Sequence, residues 1–425
     1  MSLPRNLCQR RYSRVLGIFP FIKGLFLFLG QPVEKSHSLQ SAAELESQVA
    51  ELEPHVAELE SQVAQLGSQS RGAASTKDQS SDPVELRTSP SRFSILRGAI
   101  LIGGLAWATC LGATRIPPEI PSVLVGGQRY VTLKNVAKHF GFKTLAIGSK
   151  SIELRSKWTI IRFEPGSRRA QYNHSEIWLN AGVKKIGKDW AVAHADYATT
   201  LDPLLRPFVH LRGRGNKIIV IDPGHGGTKA GTISKRKTME KTVALQIATR
   251  TASALKSAGY QVFLTRSGDS TLGLETRTDI AKRRKADLFI SIHCNSSGAG
   301  TAKGLETYVI SIPGFNSTNN PGAPNPDRTV YPGNRNANAS YRAAMDVQQA
   351  MLSKTKAHDR GLKRARFSVL KTAPCPAMLI ECGFLDHRSE EANLKSASYQ
   401  TKLAQGILSG VNTYMERVRQ IKLVR

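Results

Sequence analysis

Four side chains in this sequence are of types that hold a metal ion and move a proton: His225, Glu240, His293 and Glu381. His225 sits in IIVIDPGHGG (218–227), where a short β-branched run meets Pro223 and Gly224. That pattern reads as a buried parallel strand with the histidine just past its carboxyl end, the place where open α/β sheets bind ligands. The glycines let backbone crowd a bound group without a Cβ in the way. An anion nest and a metal ligand both fit. A phosphate loop would end in Gly-Lys-Ser/Thr and enter a helix, whereas Thr228-Lys229-Ala230-Gly231 continues as loop, so the anion reading weakens.

His293 and Glu381 each fall at the carboxyl end of another apolar run, LFISIHC and AMLIEC, and Glu240 opens the helix after the first strand. Two histidines and one carboxylate around Zn²⁺, with a fourth position open to water, form a standard catalytic arrangement. The carboxylate left over, Glu381, fits the proton acceptor for attack on a carbonyl. Each residue has a bland alternative: a turn histidine at 225, a core histidine at 293, a capping carboxylate at 240. At matching sheet positions, the bland account needs several coincidences.

The elements that must position these groups alternate. IIVIDPG, QVFLTR, LFISIHC, LETYVI and AMLIECG read as strands; Glu240–Ser257, Glu275–Lys285, Ser340–Lys356 and Leu394–Val418 read as helices. The expected fold over 216–420 is a doubly wound, mostly parallel α/β sheet. Before it, 120–210 holds short runs in which Ile, Val and Trp alternate with Lys and Arg, the pattern of a small α+β module with half-exposed strands.

Within that module YVTLKNVAKHFGF, WLN and DWAVAHADYATTLDPLLRP resemble, in order, the copper-amine-oxidase N-terminal-like domain, a non-catalytic module found before cell-wall enzymes. His139, His174, His194 and His210 show no ligand spacing, so no metal is carried over from that name. Further on, IDPGHGG, MEKTVALQIA, VFLTRSGD, ADLFISIHCNS, GLETYVI and AMLIECGFLDH resemble the zinc-dependent N-acetylmuramoyl-L-alanine amidases of the amidase-3 family, across nearly all of 216–418. The resemblance implies that His225, Glu240 and His293 bind Zn²⁺ and that Glu381 is the catalytic carboxylate. It also implies hydrolysis of the amide between the lactyl group of N-acetylmuramic acid and L-alanine, with peptidoglycan as partner. The chain departs from the family pattern at Cys294, where a small residue is usual, and at Asp386-His387, where Ser-Asn is usual. His387 could hydrogen-bond or compete for metal there. The loop 310–338 is too polar for an autoinhibitory helix, so no helical plug is expected.

Residues 1–93 combine a basic and apolar start, a seven-residue repeat ELESQVA-ELEPHVA-ELESQVA and a Ser/Gly-rich linker. The repeat places Leu45, Val49, Leu52, Val56, Leu59, Val63 and Leu66 on one seam; a short coiled coil and a partly helical spacer both fit, given Pro54 inside it. Over 94–115, basic flanks around an apolar core from Ala99 to Ala113 read as a signal peptide or a membrane anchor. The expected location is therefore exported: periplasm or cell envelope. A segment of this kind so far into the chain fits either a later start of translation or a genuine anchored stalk.

A formal net charge of +28 asks for an anionic partner, which could be nucleic acid, lipid headgroups or an acidic wall polymer. No nucleic-acid motif is present and export argues against that class. Five cysteines at irregular spacing, Cys8, Cys110, Cys294, Cys375 and Cys382, make neither a disulfide framework nor a cysteine zinc site. No motif identifies an activator protein. The expected export is checked by fusing residues 90–120 to a reporter active only outside the cytoplasm. Signal is expected, and a silent reporter would remove the wall-hydrolase reading.

Overall fold

The structure, a computed structural model, describes residues 119–212 and 215–424; the segments 1–93 and 94–115 lie outside them. All of the described residues belong to one compact unit, Gly112–Arg425. Among them no helix is long and apolar enough to cross a membrane.

The first half is built of strands: β1 (Val123–Val125), β2 (Gln128–Thr132), β3 (Thr144–Ile147), β4 (Ile152–Arg155), β5 (Ile160–Phe163), β6 (Arg169–Tyr172), β7 (Ser175–Trp178), β8 (Lys184–Ile186) and β9 (Asp189–Ala193), with helix α1 (Leu133–Phe140) after β2. Thr132 caps α1 by accepting the Asn135 N–H at 3.1 Å. The second half alternates: β10 (Ile218–Pro223), α2 (Glu240–Ser257), β11 (Gln261–Leu264), α3 (Leu274–Arg283), β12 (Leu288–Asn295), β13 (Leu305–Ile310), α4 (Ala337–Thr355), β14 (Asp359–Ala365), β15 (Ala377–Phe384), α5 (Arg388–Lys395) and α6 (Ala397–Val424).

Strands β1, β2, β9 and β8 form a small sheet, and the other strands form one sheet of 11 in the order β11-β10-β12-β15-β13-β14-β7-β6-β5-β4-β3. Its β11-β10-β12-β15 end is parallel. The expected mostly parallel sheet is modified at β13, which runs antiparallel to β15, while β7 to β3 form an antiparallel meander. The sheet as a whole is therefore mixed.

The strands near the site are apolar on both faces because both faces are covered. Ile219, Ile221, Ile290, Ile292 and Ile380 pack with Val243 and Ile247 of α2, Val347 of α4 and Ile407 of α6. Val220, Phe289 and Leu379 point the other way, into a cluster with Ala281 of α3, Val369 and Leu370. Strand β14 was not anticipated: its sequence DRGLKRA is charged, yet Lys363 is buried against Glu306 and Arg364 against the Tyr341 ring. The helix expected at Leu394–Val418 is two helices, broken where Ser396 turns extended. Glu390 and Glu391, both buried, hold α5 in place by accepting from the Gly304 N–H and from the Ser234 and Thr238 hydroxyls.

The β14–β7 seam joins the two halves of the sheet. One bridge pairs Leu362 with Ile177, Asp359 accepts the Glu176 N–H at 2.8 Å, and the Trp178 indole donates to the Arg360 carbonyl at 3.2 Å. Gly361 lies at φ +87°, where an added Cβ would stand 2.8 Å from the Glu176 carbonyl oxygen. Gly361→Ala is expected to cost about 1–3 kcal/mol from left-handed strain alone. Urea unfolding checks this; an unchanged midpoint would show that the seam relaxes freely.

Candidate metal centre

Asp222 is a carboxylate inside an otherwise apolar strand, and such a group must be paired if it is to be buried. Arg277 of α3 supplies the partner, donating through Nη1 to Asp222 Oδ1 at 2.7 Å. The hydroxyls of Thr265 and Ser291 donate to the same carboxylate at 2.6 and 2.7 Å. The guanidinium also donates to the carbonyls of Pro223 and His225, at 2.8 and 2.7 Å. Arg266, following β11, donates to the carbonyls of Pro223 and Gly224 at 3.0 and 2.7 Å. Two guanidinium groups thus clamp three consecutive carbonyls of the loop after β10. Within it His225 sits at φ +59°, a left-handed conformation that persists only where its surroundings over-determine it.

So held, the His225 ring meets His293 of β12 edge to face, with centroids 4.9 Å apart. Glu240, the first residue of α2, completes the group. One ligand atom from each of the three residues lies within 4.8 Å of the others. Glu240 Oε1 is 2.8 Å from His293 Nδ1 and 3.1 Å from His225 Nε2, and it accepts the Cys294 N–H at 3.1 Å. Its Oε2 accepts the Thr232 N–H at 2.8 Å, which fixes the plane of the carboxylate. Burial by itself would raise the Glu240 carboxyl; the hydrogen bonds with His225 and His293 reverse that and hold it well below the usual range.

Glu381 lies on β15 in register with His293 on one side and with Glu306 of β13 on the other. It is buried, and its Oε2 has no hydrogen-bond partner. Burial, and then the negative charges of Glu240 and Glu306, push its carboxyl well above the ordinary value, with Lys363 opposing. A two-nitrogen, one-oxygen donor set beside a buried, unpartnered carboxylate is what a divalent cation would satisfy, so the residues fit such an ion.

Several contributors were not picked out from the sequence. Asp222, Arg266 and Arg277 form the clamp; the signal was a charge inside a buried strand. Glu306 gathers Asn295, Tyr308, Arg360 and Lys363, whose polar atoms donate to it at 2.7, 2.9, 2.8 and 2.6 Å. His387 stands outside the metal-competent group: it precedes α5, with its ring 3.2 Å from the Ser389 hydroxyl. Asp386 accepts from the Ser297 and Gly300 N–H groups at 2.9 and 3.1 Å and so fixes the turn after β12.

Residues 219–413 match the family model described as N-acetylmuramoyl-L-alanine amidase. The chain is 31% identical over 220 residues to the N-acetylmuramoyl-L-alanine amidase AmiC of Escherichia coli, covering 46% of this chain and 52% of that protein. It is 33% identical over 227 residues to the uncharacterized protein YqiI of Bacillus subtilis, covering 53% of this chain and 97% of that protein. Among solved structures, the N-acetylmuramoyl-L-alanine amidase AmiC2 of Nostoc punctiforme is 32% identical, with 48% of this chain and 99% of that chain covered and a TM-score of 0.40. The chain spans about half the length of AmiC.

One position tests the geometry directly. A Cβ on Gly224 would lie 2.4 to 2.7 Å from three atoms of the His293 ring. The glycine makes room for the His293 ring. Gly224→Ala is expected to turn that ring and weaken divalent-metal affinity roughly 10–100-fold, as for other groups that orient ligands. Competition against a chromophoric chelator reads it, and unaltered affinity would refute the close approach.

Proposed function

The chain belongs, through residues 219–413, to the N-acetylmuramoyl-L-alanine amidase family, and from that premise we propose that it is a zinc-dependent peptidoglycan hydrolase. It cuts the amide between the lactyl group of N-acetylmuramic acid and the L-alanine of the stem peptide. The observation that carries this reading is the convergence of His225, Glu240 and His293 beside Glu381.

His225, Glu240 and His293 would hold the Zn²⁺. Bound there, the ion supplies Lewis acidity toward the carbonyl and toward water. Glu381 is the proton carrier: its carboxylate takes the proton of the attacking water and returns it to the leaving amine as the C–N bond breaks. Its buried position keeps competing water from that proton. Glu306, clamped by Arg360 and Lys363, fixes the strand beside it. We place the reaction outside the cytoplasmic membrane, with 94–115 as signal peptide or anchor, and read 120–210 as the copper-amine-oxidase N-terminal-like module.

Glu381→Gln should keep its zinc and hydrolyse peptidoglycan at least ~100-fold more slowly, because a general base contributes about 10²–10⁴ in rate. His293→Ala should lose the metal as well, since a three-ligand site has none to spare. Metal content and released stem peptides, measured on both purified variants, decide it. Zinc loss in Glu381→Gln would make Glu381 a ligand; near-normal turnover would remove it from the mechanism.

A further inference from the structure

Strand register shows which face of the sheet carries the site and how far that face extends. Ile380, Thr307, Leu362 and Ile177 are matched across β15, β13, β14 and β7, and the three aliphatic ones lie in the core beneath the α2, α4 and α6 helices. Side chains alternate along a strand, so their neighbours Glu381, Glu306, Lys363 and Trp178 share the opposite face, with His293. The Lys363 ammonium, which binds Glu306, also lies 5.8 Å from the centre of the Trp178 ring. The row continues without a break: Trp178 pairs with Arg169, and Glu176 with Gln171, then Arg162, then Glu153.

Around the metal-competent residues this face is covered by α3 and the segment after β14. Beyond Trp178 it is open. Arg169, Gln171 and Arg155 are exposed, and Arg162, Arg169, Gln171 and Glu176 line a hollow of about 190 Å³. Most charges there are held in pairs: Arg169 is 2.8 Å from Glu176, and Arg155 and Arg162 share Glu153 at 2.7 Å each, while Lys150 also lines the hollow. Beside the indole of Trp178 this surface offers chiefly side-chain donors and acceptors held in place by ion pairs. Hydroxyl and acetamido groups of a sugar chain match that chemistry, with ring faces against the aromatic.

We propose that the open face of β7 to β3 is a track for the glycan backbone of the polymer, continuous with the site at Glu381. The inference rests on the amidase reading above. A polymer seated along it would be held on the face that carries the cutting site.

The test uses peptide-free glycan strands of peptidoglycan as probe, binding to the folded protein measured by calorimetry. Saturable binding that survives raised salt is expected. Arg162→Ala with Gln171→Ala should weaken it about tenfold, the equivalent of one good charged hydrogen bond. Gln171→Ala alone, which breaks no ion pair, should weaken it in the same direction and guards against a misfolded double variant. The proposal fails if the unaltered protein does not bind the strands, or if both variants bind as it does. It fails equally if binding vanishes with salt and a poly(glycerol phosphate) chain replaces the glycan, which would make the face a polyanion surface. Release of stem peptides by the unaltered protein is read separately, so loss of the amidase reading and loss of the track are distinct results.

Discussion

The buried Asp222–Arg277 pair is the interaction on which the site depends. A charge pair taken out of water gains little by itself, but removing one partner leaves the other uncompensated, at a cost of about 3–5 kcal/mol. Here the pair is also multivalent: the same guanidinium that neutralises Asp222 holds the carbonyls of Pro223 and His225. The loop therefore cannot relax out of its left-handed turn without unpairing a buried charge. The strain at His225 is maintained by electrostatics three residues upstream, and the ring is held against His293.

A second constraint is the gathering of carboxylates. Glu240, Glu306 and Glu381 lie close together in a chain with a large excess of basic residues. Each is managed differently. Glu240 is stabilised as an anion by two imidazoles, and Glu306 by Arg360 and Lys363, which overcome the effect of burial. Glu381 receives neither treatment, and burial followed by the charges of Glu240 and Glu306 raises its carboxyl above the ordinary value. Environments that drive neighbouring carboxylates apart in this way are what distinct roles within one site require.

The continuity of the sheet couples the two halves. Burying β14 requires that Lys363 find Glu306 and that Arg364 find the Tyr341 ring, 4.6 Å from its guanidinium carbon. Once buried, β14 offers its free edge to β7, and the antiparallel meander extends the sheet from there. The Trp178 ring is fixed through its hydrogen bond to Arg360, so a residue of the first half borders the second half's polar network.

The sequence by itself determined the strand–helix alternation after residue 216 and the positions of His225, Glu240, His293 and Glu381 at strand and helix ends. Those features are local: apolar runs, glycine and proline punctuation, and metal-competent side chains just past them. The start and end of α2 were legible for the same reason. Strand β14 was not, because its charges look like a solvated loop until Glu306 and Tyr341, distant in sequence, neutralise and cover them. Nor was the reversed direction of β13, since an apolar run reads the same both ways. The Asp222 clamp, the need for Gly224 beside the His293 ring and the shared face running from Glu381 to Arg155 were decided only by tertiary structure. Each depends on which residues register places side by side, and the order of strands in a sheet is set by packing across the whole chain rather than by any one segment.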